Sequence, residues 1–222
     1  MSGIVGSKFN HRGSGLVGSL GTDGQHMLSS GAGKSNVFET VAAAGADLVH
    51  LTTVSISDDA TVAVDGEYSS TYEHYLIIIS NVVTATGAVD FNMQINEGGS
   101  AVTSGYKWAE TAYYHSGTGG NSTYHGAGSA GSTVALIRIG NNSDNNGTDT
   151  QSGELWIFDP LDTTRFKNVR FTGQNTQDND TFFCRDVAGK LQSATASTGV
   201  TFYTSSGNLT SGSYALYGLK TS

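Results

Sequence analysis

The 222-residue sequence contains one cysteine, one proline and few charged side chains. A single thiol, Cys184, excludes both an internal disulfide framework and a cysteine-based zinc cluster. It lies in Thr181-Phe182-Phe183-Cys184-Arg185, a strand-like apolar run in which a buried, inert thiol is expected. No apolar run approaches the roughly 18 residues of a membrane-spanning helix. The longest, Tyr75-Leu76-Ile77-Ile78-Ile79, has the length of a strand. No charged-then-apolar leader opens the chain, so the expectation is a soluble protein without an export signal and without a membrane partner. Runs of Ala, Leu, Glu, Lys and Gln are scarce, which excludes long helices.

Basic charge is also in short supply. The net charge is −8, and it is unevenly spread. Residues 1–45 carry three basic and two acidic side chains, whereas residues 46–222 carry eight basic and seventeen acidic ones. An acidic body repels phosphate backbones, so nucleic acid is not an expected partner.

What the sequence has in quantity is glycine, 30 in all, with tyrosine, threonine and asparagine. Ten of the glycines fall within residues 1–45, where apolar residues are scattered and without period. Such a segment buries too little surface to offset its own ordering entropy, so it is expected to be an extended arm held by a neighbour. From residue 46 onward, strand signals recur between polar turns. Leu48–Ile56 alternates, and Tyr72–Val83 is apolar through its centre, as in a strand covered on both faces. Val89–Ile95 points Val, Phe, Met and Ile inward and Asp, Asn and Gln outward. Further runs follow at Tyr106–Tyr114, Thr133–Ile139, Glu154–Phe158, Phe166–Thr172, Thr181–Cys184, Val200–Tyr203 and Tyr214–Leu219. About ten strands with no helix pattern between them predict an all-β fold, an antiparallel sandwich or jelly roll over residues 46–222. Ser116–Ser132 and Asn141–Gly153 are polar, glycine- or asparagine-rich inserts, expected as exposed loops.

The chemical motifs fail on context. Gly33-Lys34-Ser35 resembles the end of a phosphate loop, but Leu28 stands where the loop's first glycine is required, and no strand precedes it. The helix-like Val37–Ala44 that follows is too short to hold a phosphate. The "GSGLVG" of residues 13–18 lacks both the buried strand and the helix of a dinucleotide site. No Gly-x-Ser-x-Gly elbow occurs. Among the histidines only His115 and His125, flanking the glycine-rich insert, invite a metal test, and His50 and His74 are expected as hydrogen-bonded strand residues. The "NNSDNNGTD" of residues 141–149 misplaces the glycine of a calcium loop. Arg165, Lys167 and Arg170 suggest a solvated strand edge. No cofactor and no catalytic residue is indicated.

Two end motifs carry a family resemblance. Arg12-Gly13-Ser14-Gly15-Leu16-Val17-Gly18, then Gly21-Thr22-Asp23-Gly24-Gln25-His26-Met27-Leu28-Ser29-Ser30-Gly31-Ala32-Gly33 and the pair Val37-Phe38, resemble a linker of tailed-bacteriophage virion proteins. His26 departs from the branched apolar residue expected there. The stretch Ser205–Lys220 is similar to the closing hairpin of such modules, and "YLIIISNV" and "FNMQIN" fit their strand order. The resemblance implies a virion surface protein with a jelly-roll-like body, commonly a homotrimer, assembled in the host cytoplasm. It implies no enzyme activity, and a polysaccharide-cleaving alternative lacks a carboxylate pair.

Within that family a short chain with a glycine-rich arm suggests a capsid decoration or cement protein. The arm, residues 1–45, would be tied to the major capsid protein or a tail adaptor through Phe9, Arg12, Leu16, Leu20, Met27, Leu28, Val37 and Phe38. The alternative is a tail-fibre module that reads host surface glycan. Its expected contacts are Tyr113, Tyr114, Tyr124, Asn141, Asp144 and Asn146, since aromatics beside amides and carboxylates suit sugar rings.

Overall fold

The structure, a computed structural model, describes residues 26–28, 37–39, 48–116, 120–128, 136–148, 150–177 and 180–220, the first two stretches by their backbone alone. Among the described residues the protein is all-β: 69% of them lie in strands, the sheets are antiparallel and there is no helix. The chain divides into two compact units, Met1–Ala46 and Asp47–Ser222.

In the first unit β1 (His26–Leu28) pairs antiparallel with β2 (Val37–Glu39), placing Met27 opposite Phe38 and Leu28 opposite Val37. Val37–Glu39 is therefore a strand, where the sequence suggests the start of a helix. β-Branched and aromatic residues favour the extended form once a pairing strand is present.

The second unit begins with β3 (Leu48–Ser55), β4 (Thr61–Asp65), β5 (His74–Thr84), β6 (Val89–Glu97) and β7 (Ser100–Ala101). β8 (Tyr106–Ser116), β9 (Gly120–Gly128), β10 (Ile137–Ser143) and β11 (Gln151–Phe158) follow. β12 (Lys167–Thr176), β13 (Phe182–Leu191), β14 (Ser197–Thr204) and β15 (Leu209–Leu219) complete it. One sheet has eight strands in the order β3-β15-β5-β11-β12-β13-β8-β9. The other has the order β10-β6-β14-β4, with β7 also on β6.

The two sheets share one apolar core. Phe91, Met93, Ile95, Ile137, Ile139, Val200 and Phe202 from the smaller sheet join Tyr75, Ile77, Ile79, Leu155, Phe171, Val187 and Tyr214 from the larger. Phe202 stacks on Phe91 at 6.0 Å and on Tyr214 at 4.3 Å, so aromatic contact crosses from sheet to sheet. The Tyr106 hydroxyl accepts from Ile95 N at 2.7 Å and donates to Val102 O at 3.0 Å, a second cross-sheet tie.

Several local expectations are corrected. Asn92 and Gln94 on β6, expected to face solvent, are buried, as is Asn96 beyond them. Asn96 accepts a 2.8 Å hydrogen bond from Thr201 Oγ1 on β14. Much of the 116–132 insert is not a loop: Gly120–Gly128 is the edge strand β9, in unbroken register with β8. The 141–153 insert likewise contributes to β10 and β11, which leaves only a short connection between them.

Lys167 does not guard an edge. It lies on β12, an interior strand, fully buried, with Nζ donating to the carbonyls of Asp162 and Arg165. The Asp162 carboxylate braces the same turn through Thr164 and Arg165, and those hydrogen bonds hold it well below the usual carboxylate range.

β5 carries a bulge at Asn81, whose φ is 52°. Gly212 on β15 crosses it at φ 116°, and a Cβ there would lie 2.8 Å from both Asn81 O and Val82 Cα. Gly212→Ala combines an unfavourable dihedral with a backbone clash. It should lower stability by about 1–3 kcal/mol, read as a fall in the urea midpoint at unchanged m-value.

Candidate functional site

β13 alternates Phe182, Cys184, Asp186, Ala188 and Lys190 on the outer face of the large sheet with Phe183, Arg185, Val187, Gly189 and Leu191 on the inner face. Arg185 is thus 1% exposed, and Cys184, expected buried, is exposed. The inversion has a local cause. Glu110 on β8, 3% exposed, lies diagonally across from Arg185, and an ion pair joins its Oε1 to Arg185 Nη1.

That pair is the centre of a buried polar network between the sheets. Arg185 Nε donates to Asn175 Oδ1 at 2.5 Å, and Nη2 donates to Asn141 Oδ1. Asn141 also accepts from Gln177 Nε2 at 3.0 Å and, through its carbonyl, from Asn175 Nδ2 at 3.2 Å. Arg138 on β10 approaches Glu110 Oε2 at 3.4 Å and Asp90 at 3.8 Å. Its Nη2 donates to Tyr124 Oη at 2.8 Å, while its guanidinium lies 5.0 Å from the Trp108 ring centroid. Arg185 lies 4.4 Å from the Phe183 ring. Two cations thus meet two carboxylates. Burial pushes Arg185 down to about 10, opposed by the charge of Asp90, so it remains a cation at neutral pH.

Three of the expected recognition residues make contacts within the body. Tyr124 and Asn141 are hydrogen-bonded within it. Tyr114 stacks on Phe183 at 5.0 Å. Asp144 and Asn146 lie in the connection after β10, where Asp144 Oδ1 accepts from Asn146 N at 3.0 Å and Asn146 Oδ1 from Thr148 N at 3.1 Å. This is a self-braced turn. Asn146 is exposed in that turn, and Tyr113 stands clear on the sheet surface, 66% exposed.

The histidines separate. His115 faces Asn121 and His125 faces Thr111, four residues further along β8, so the two do not converge. His125 Nδ1 contacts Thr111 Oγ1 at 3.4 Å. His50 and His74 are hydrogen-bonded, to Thr53 Oγ1 at 2.8 Å and Asp159 N at 3.2 Å. Among the described residues no three His, Cys, Asp or Glu side chains gather as a metal site.

No family model, curated protein or solved structure matches the chain.

Sequence reasoning missed the surface that the inversion creates. Tyr113, His115, Thr123, Phe182 and Cys184 line an open depression of about 510 Å³ on the outer face of β13, β8 and β9. Further depressions on the same face are lined by Thr172 and Gln174, and by Thr111 and the Arg170–Asp186 pair. That pair is a two-pronged contact, Nε–Oδ1 3.0 Å and Nη2–Oδ2 2.6 Å. The signal was present in the spacing: Phe183, Val187 and Leu191 share their parity with Arg185 and not with Cys184. Of the arm residues, Met27, Leu28, Val37 and Phe38 fall on β1 and β2. Phe9, Arg12, Leu16 and Leu20 lie outside the described residues.

Arg185→Met removes one partner of a buried charge and leaves Glu110 uncompensated. Stability should fall by about 3–5 kcal/mol, measured from the shift of the denaturant midpoint.

Proposed function

We propose that the chain is a non-enzymatic structural protein of a bacteriophage virion surface, foremost a capsid decoration or cement protein. In this reading the body is a β-sandwich of jelly-roll type that faces outward. The residue 1–45 arm ties it to the major capsid protein, and the assembled form is a homotrimer. The sandwich is supported by the core that the two antiparallel sheets share. The jelly-roll and trimer terms come with the family resemblance.

The observation that carries the proposal is the arm's own pairing. A ribbon of three residue pairs, set in a unit separate from the body, is marginal in water by itself. It gains stability by lying on another protein, and Met27, Leu28, Val37 and Phe38 are the apolar residues it brings there. Three such arms acting together would hold far more tightly than one, because each bound arm raises the local concentration of the others.

A second reading, a tail-fibre module that contacts host glycan, is favoured by the exposed Tyr113 and Phe182 on the body.

Deleting residues 2–45 distinguishes the two. The expected result is a folded body with an unchanged thermal midpoint that is missing from purified heads while particles still adsorb to the host. A truncated protein that stays on heads, with adsorption lost instead, would contradict the decoration reading.

A further inference from the structure

We propose that the outer face of β13, β8 and β9 is a binding site for a neutral, extended oligosaccharide, with Tyr113 and Phe182 as its stacking platform. The depression presents two exposed aromatic rings, 66% and 44% accessible, beside the hydroxyl of Thr123 and the imidazole of His115. Register sets Tyr113 opposite Cys184 and His115 opposite Phe182, so the two rings stand diagonally on neighbouring strands of one face. No Asp, Glu, Lys or Arg lines this end, in a chain of net charge −8. A ligand that meets rings and hydroxyls but no ion is uncharged and amphipathic. A pyranose, with a C–H face and a rim of hydroxyls, has that chemistry.

The length of the surface argues for a polymer. From Phe182 to Lys190 the outer face of β13 runs roughly 27 Å at the rise of an antiparallel strand. Small side chains, Ala109 and Ala188, floor its middle. Thr111, Thr172, Gln174 and the Arg170–Asp186 pair border it with donors and acceptors, the pair being neutral as a unit. β13 and β8 are interior strands whose backbone groups are already paired, so a peptide strand cannot be added along the depression's floor. A protein partner with an apolar face would bury the hydroxyls and the Arg170–Asp186 pair without replacing their hydrogen bonds with water. A chain of sugar hydroxyls does replace them. The inference is independent of where the protein is carried, since the purified chain reports on it directly.

The single thiol supplies the readout. Cys184 is exposed and lines the depression, so a bound sugar slows its reaction with a thiol reagent. The full chain is alkylated with and without maltohexaose, cellohexaose and mannohexaose, and the same sugars are titrated by calorimetry. At least one should bind saturably and slow alkylation in proportion to occupancy. Tyr113→Ala and Phe182→Ala, both on the solvent face, should keep the thermal midpoint and each weaken binding by about two- to twelvefold, the loss of one stacking contact. If none of the three binds at about 10 mM, above the Kd of even a weak site, the inference fails. It fails equally if the chain self-associates by light scattering and Tyr113→Ala abolishes the association, because the patch then belongs to a second copy.

Discussion

The buried Arg185–Glu110 ion pair is the constraint on which the rest of the body depends. Taking two charges out of water costs several kcal/mol, and close pairing with hydrogen bonds from further polar groups offsets it. The structure supplies such partners from both sheets. Asn175 on β12 and Asn141 on β10 take the free N–H groups of Arg185, and Arg138 on β10 takes the second oxygen of Glu110. The network therefore ties β10 to β8, β12 and β13. Phe202 and Tyr214 do the corresponding work elsewhere. The sheets are thus joined by dispersion and burial together with a directional polar network.

The same constraint shapes the surface. Once Arg185 turns inward, period-two alternation forces Phe182 and Cys184 outward. Tyr113 follows because it pairs with Cys184. The exposed aromatic patch is thus a consequence of how the sheets are joined, and its two rings are available for binding because charge occupies the interior position below them. The proposed division of labour follows from this: an arm that attaches, a body closed by its own network, and an outer face that presents rings and hydroxyls.

The strands themselves were largely legible. Tyr72–Val83 and Val89–Ile95 alternate or fill as β5 and β6 do, and the absence of helical periodicity matches the all-β result. What was not legible is instructive. Gly120–Gly128 has a composition suited to a loop, and it is a strand because β8 offers nine consecutive partners; tertiary pairing overrides propensity there. Lys167 looks solvated in sequence, but its ammonium is taken up by the carbonyls of the turn just before it, and Arg185 is buried by a partner, Glu110, that lies 75 positions away. Tyr114, Tyr124 and Asn141 look like recognition residues for the converse reason. Their composition suits a ligand, and it does not reveal the contacts that they make with Phe183, Arg138 and Arg185. Of the expected site Asn146 stays exposed in its turn and Tyr113 keeps its place on the sheet surface. Cys184 and Phe182 join it through parity, a pattern present in residues 183–191 and outweighed by the apolar look of 181–184.

The central claim is that Arg185 and Glu110 act as one unit that joins the sheets. A double-mutant cycle of Arg185→Met and Glu110→Leu, each variant and the pair measured by denaturant unfolding, tests it most directly. The account predicts that the double variant is more stable than either single variant, with a coupling energy of about 2–3 kcal/mol, because removing both charges leaves none stranded. Additive losses, with the double variant the least stable of the three, would contradict it.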